Sequence, residues 1–145
     1  MESLEARSAL DAKRQPEAQL AKAVNCPPWR HAVFGLLTGG LIASFAFDFA
    51  VRTVILLIIL ACVPIIIHFD RKRMGVFING YRRGKTRVVT FGILLVWLPL
   101  YAVSVYYALD LHNRVVPLLL GAVGFVVGVA GSLIWQRVFV REMGA

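Results

Sequence analysis

Acids are scarce in this chain. Eight Asp and Glu face sixteen Lys and Arg among 145 residues, and charged residues make up only 17% of the total. Soluble domains carry about 25% charged residues, so an ordinary soluble domain is excluded. Cysteine is scarce too: Cys26 and Cys62 cannot build the disulfide framework of a small secreted scaffold. One falls in a polar tail and the other in an apolar run, so no bridge is expected, and Cys62 reads as a small apolar residue. A glycine-rich phosphate loop, a His-Glu-x-x-His pair and a nucleophile elbow are all missing. No ionisable residue lies near the centre of a long apolar run, where a proton relay or ion-coupled carrier places one.

What the chain has instead is apolar surface. Hydrophobic residues make up 59%, which excludes disorder for the bulk of it. Residues 53–69, 88–109 and 115–136 contain no Asp, Glu, Lys or Arg, and residues 31–49 contain only Asp48. A hydrocarbon core of about 30 Å needs roughly 20 apolar residues as a helix. Continuous apolar runs indicate helices rather than the alternating strands of a barrel. The expectation is an all-α membrane protein with four transmembrane helices, at about 31–49, 52–69, 88–109 and 115–136, arranged as two hairpins.

Charge sets the expected orientation. The tail 1–30, the loop 70–87 and the tail 137–145 together hold fourteen of the sixteen basic residues, and only Arg52 and Arg114 fall on the other side. The positive-inside rule makes this an N-in/C-in bundle with both tails and the middle loop cytoplasmic. The first 30 residues hold four acids and no apolar stretch, so no cleaved leader or transit peptide is expected. The expected location is a bacterial inner (plasma) membrane, with Trp29 and Trp135 as an aromatic belt on one face and Tyr106 and Tyr107 on the other.

The two hairpins share a pattern. Arg30 and Arg87 each stand four residues before a Phe-Gly, and both outer turns read Asp-x-x-x-Arg, at Asp48–Arg52 and Asp110–Arg114. This is either a duplicated two-helix unit or the chance recurrence of common residues. The Asp/Arg pairs are expected to neutralise each other. Close helix contact in lipid depends on small residues. Gly35, Gly39 and Ala43 form one such face in span 1, and Gly121, Gly124, Gly128 and Gly131 form another in span 4. They are expected to pack on each other or to seat a second copy or a partner. Span 2, dense in Ile and Leu, is expected to face lipid. Pro64 and Pro99 are expected to bend their helices.

Trp97 and Tyr101 stand one turn apart in span 3, and with Ser104 they could line a small polar-aromatic pocket. His31 and His68 fall at the same membrane face, and paired histidines can hold haem or a metal. In the middle loop, Arg71, Lys72, Arg73, Arg82, Arg83 and Lys85 surround Phe77 and Tyr81. Topology accounts for the cations but not for the apolar residues, so the segment suits anionic headgroups or an acidic partner. Nucleic acid is excluded by closeness to the bilayer. The buried acid of small four-span drug exporters and the Arg/Asn/Glu-rich helix of glutathione-type membrane transferases are both missing. The expected function is a non-enzymatic accessory, assembly or scaffolding subunit, with no catalytic, cofactor or metal residues. Its partners would be the lipid bilayer with anionic headgroups, and further copies or other subunits of a membrane complex. A small oligomeric transporter or flippase for an amphipathic or lipid-linked solute is the first alternative, and a haem-binding or other membrane enzyme the second.

Overall fold

The computed structural model describes residues 27–74 and 84–142. It is all-helical, with no strand among the described residues. The α-helices are α1 (Pro28–Ala43), α2 (Phe49–Met74), α3 (Lys85–Leu109) and α4 (Val115–Glu142), and a short 3-10 turn, Ser44–Ala46, follows α1. Three helices, α2, α3 and α4, are long and apolar enough to cross a membrane. This is the architecture of a membrane protein.

The helix ends differ from the expected spans, for local reasons. Helix α1 starts early because Pro27 is extended and Pro28 occupies the first helical position, where a missing N–H costs nothing. It stops at Ala43, well short of residue 49. There the Ser44 hydroxyl donates to the Leu41 carbonyl at 2.7 Å and the backbone tightens into the 3-10 turn before Phe47 extends. Asp48 then caps α2, accepting the Val51 N–H at 3.1 Å. At the other end α2 runs past residue 69 to Met74, and α3 begins at Lys85 rather than Val88. Helix α4 extends six residues beyond Gln136, to Glu142. Backbone hydrogen bonding does not stop where hydrophobicity stops, so the charged flanks continue as helix. The expected loop 70–87 is thereby helical at both edges, at 70–74 and 85–87, and residues 75–83 lie outside the described residues.

Neighbouring helices run antiparallel. Arg30 meets Asp70 between α1 and α2, His31 meets Ser132 between α1 and α4, and the Lys85 N–H meets Glu142 between α3 and α4. Residues 28, 74, 85 and 142 therefore share one end of the bundle, the basic end. The turns 47–48 and 110–114 share the other. Helix α4 is the central element, packed chiefly on α1 and next on α3. Helix α2 touches the rest sparsely, and none of its apolar stretch is buried.

Candidate functional site

Among the described residues, α1 and α4 meet along a tight seam. Gly35, Gly39, Gly121, Gly124, Gly128 and Gly131 are all buried. A Cβ at Gly39 would lie 2.5 Å from the Gly121 carbonyl oxygen, and one at Gly35 would lie 2.5 Å from Val129 and 2.8 Å from the Phe125 carbonyl. On α4, a Cβ at Gly121 would meet the Cβ of Ala43 at 2.6 Å, and one at Gly124 would meet Ile42 at 2.6 Å. Gly128 faces Thr38. Gly131 turns away from α1 toward Ile93 of α3, at 2.7 Å. The α4 glycines thus serve two helices. The two Phe-Gly pairs are also unlike each other: Gly35 is locked in the seam, whereas a Cβ at Gly92 would meet nothing within 4 Å.

Polar groups thread this apolar interior and join helix to helix. Nδ1 of buried His31 and Oγ of Ser132 lie 2.8 Å apart. The Thr38 hydroxyl lies 3.0 Å from the Phe34 and Gly35 carbonyls of its own helix and 3.3 Å from the Gly124 carbonyl of α4. The Trp97 indole N–H donates to the Thr38 carbonyl at 3.3 Å, and fully buried Ser104 donates to the Ile42 carbonyl at 2.9 Å. Tyr101 stacks on Trp97 with ring centroids 5.1 Å apart and takes Phe45 edge-on at 5.3 Å. Trp97, Tyr101 and Ser104 are therefore brought together on one face of α3, directed at residues 38–45 of α1 and its 3-10 turn.

The expected neutral turns are built differently. Among the described residues neither Asp/Arg pair forms an ion pair. Asp48 caps α2, while the Arg52 guanidinium sits over Phe45 at 5.1 Å and Phe49 at 5.6 Å. In the second turn Asn113 caps α4, accepting from Val115 and Val116 at 2.9 and 3.1 Å. Tertiary and capping contacts outcompete an exposed ion pair, which contributes little energy.

At the basic end, Arg30 of α1 and Asp70 of α2 are joined at 2.5 Å, with the Asp70 side chain only 12% exposed. Glu142, on the last turn of α4, closes over the start of α3 and accepts the Lys85 N–H. Its carboxylate occupies the space where a side chain at Gly84 would stand, and Gly84 has φ +147°, which favours glycine. Both contacts escape sequence reading, because each joins residues that only the tertiary fold makes neighbours. Thr86 Oγ1 and Trp135 Nε1 are buried at the same end with no hydrogen-bond partner among the described residues.

The expected lipid- or partner-contacting residues divide into two groups. Arg71 and Lys72 are exposed on the last turns of α2, Arg73 belongs to the same helix, and Lys85 is exposed at the start of α3. Phe77, Tyr81, Arg82 and Arg83 lie outside the described residues. His31 and His68 are not brought together: His31 is engaged with Ser132, and His68 is exposed on α2. Among the described residues no three His, Cys, Asp or Glu side chains cluster. Comparison with protein families, with curated proteins and with solved structures found no match to this chain.

Proposed function

We propose that the chain is a four-span inner-membrane protein with both tails cytoplasmic, serving as a non-enzymatic accessory, assembly or scaffolding subunit of a membrane complex. Helix α1 with its 3-10 turn supplies the fourth crossing. Sixteen α-helical residues and three 3-10 residues reach about 30 Å, the thickness of the hydrocarbon core. The basic end then meets the cytoplasmic headgroups, as the charge asymmetry favours.

The observation that carries the accessory reading is where the interior polar groups are spent. His31, Thr38, Ser104, Ser132 and Trp97 all tie one helix to another. Apart from buried Thr86 Oγ1 and Trp135 Nε1, what remains available is outward: the almost unpacked α2, and exposed Lys72, Lys85, Arg137 and Arg141 at the basic end. Such surfaces suit lipid and other membrane subunits, with anionic headgroups against the cations.

Extraction of the full chain from its own membrane in mild detergent, followed by affinity capture and mass spectrometry, tests the reading. A stoichiometric membrane partner or a defined oligomer is the expected result. A lone monomer with no co-purifying protein overturns it. Cysteine-accessibility labelling from each side tests the orientation separately.

A further inference from the structure

The basic end also carries a site on the outer face of α4. An open depression of about 350 Å³ runs along Leu133, Gln136, Arg137, Val140 and Arg141. Their spacing places them on one helical face. Leu133 and Val140 give it an apolar wall, and Arg137 and Arg141 stand one turn apart, about 6 Å along the axis.

Neither arginine forms an ion pair among the described residues. Among the described residues, both acids of this end are already engaged: Asp70 holds Arg30, and Glu142 holds the start of α3. Arg137 and Arg141 are both exposed. Two exposed guanidinium groups beside an apolar wall, just beyond the apolar stretch of a membrane-crossing helix, match a phosphate joined to a hydrocarbon chain. Guanidinium binds phosphate through paired N–H donors.

We propose that this face of α4 is a binding site for an anionic phospholipid. Its phosphate is held between Arg137 and Arg141, and an acyl chain runs back along Leu133 toward the membrane interior. The apolar wall selects a lipid over soluble phosphate. Unpaired positive charge selects a net-anionic lipid over a zwitterionic one. The inference rests on the membrane reading but not on which side the tails occupy.

The test uses the full chain in detergent with an equimolar mixture of phosphatidylglycerol and phosphatidylcholine, and native mass spectrometry to count retained lipid. Wild type should retain phosphatidylglycerol preferentially. Each basic residue at an anionic surface strengthens binding by about fivefold, so R137Q/R141Q should lower retention by about 30-fold. R114Q, at the opposite end, should leave it unchanged, and millimolar inorganic phosphate should not displace the lipid. Equal retention of the two lipids, wild-type retention by R137Q/R141Q, or ready displacement by inorganic phosphate would overturn the proposal. If the double variant does not fold, R137Q and R141Q singly, each with about a fivefold loss, decide it. The readout is bound lipid alone, so a failure here is distinct from a failure to capture a protein partner.

Discussion

Two Gly→Ala substitutions, at Gly39 and Gly92, should move stability in opposite directions. Both glycines are within helices, so both substitutions gain up to about 1 kcal/mol of helix propensity. Their surroundings differ. At Gly39 the added carbon falls 2.5 Å from the Gly121 carbonyl oxygen, 2.8 Å from the Phe125 nitrogen and 2.9 Å from the Phe125 Cβ. Two of these are backbone atoms of the central helix, which no side-chain rotation can move. The α1–α4 axes must therefore separate by about 1 Å to restore ordinary carbon contacts of about 3.5 Å. That shift also weakens the Thr38 contact with the Gly124 carbonyl, already at 3.3 Å. Overpacking a well-filled contact costs about 1–3 kcal/mol. At Gly92 nothing lies within 4 Å, so only the propensity gain remains. Gly39→Ala should thus be net destabilised by up to about 2 kcal/mol, and Gly92→Ala neutral to slightly stabilised. Reversible unfolding in mixed micelles, followed by far-UV circular dichroism, reads both. Gly39→Ala matching Gly92→Ala in stability would refute the close-approach account of the seam.

Two further outcomes follow from single contacts. Asp70→Asn and Arg30→Gln should each loosen α2, and their double-mutant cycle should give a coupling of about 1–2 kcal/mol, between the exposed and buried limits for an ion pair; a coupling near zero means the contact does not hold α2. Ser104→Ala should cost about 0.6–1.7 kcal/mol, the range for a polar contact between membrane helices, measured by the same unfolding assay. An unchanged midpoint there means the Ile42 carbonyl finds another donor.

Several features of the fold are legible as sequence patterns. The uncharged runs mark the helices because lipid leaves the backbone no other way to satisfy its hydrogen bonds. The spacing of Gly35, Gly39 and Ala43, and that of the α4 glycines, marks faces where a neighbour can come close. What meets each face is not written there: Gly131 shares the spacing of Gly124 and Gly128 but serves α3. The break after Ala43 carries no Gly or Pro, so nothing local announces it. The Asp-x-x-x-Arg pattern suggested ion pairs where the turns use an Asp48 cap, an Asn113 cap and a cation over two rings. The Arg30–Asp70 and Glu142–Lys85 contacts span 40 and 57 residues, beyond any local signal. The small polar-aromatic pocket expected from Trp97, Tyr101 and Ser104 depends on what α3 faces, and these side chains reach α1 and its 3-10 turn.

The seam joins the first described helix to the last. Its two halves are therefore separated in synthesis by α2 and α3. Helix α1 can gain the carbonyls of Gly121 and Gly124 as neighbours only after α2 and α3 have been synthesised, and the Ser132 partner of His31 arrives later still. Until then α1, the shortest of the described α-helices, lacks its main support, with α2 offering sparse contact. Long-range closure of this kind slows assembly. It also makes the finished bundle a check on its own synthesis, because a chain that stops before α4 leaves the small-residue face of α1 uncovered.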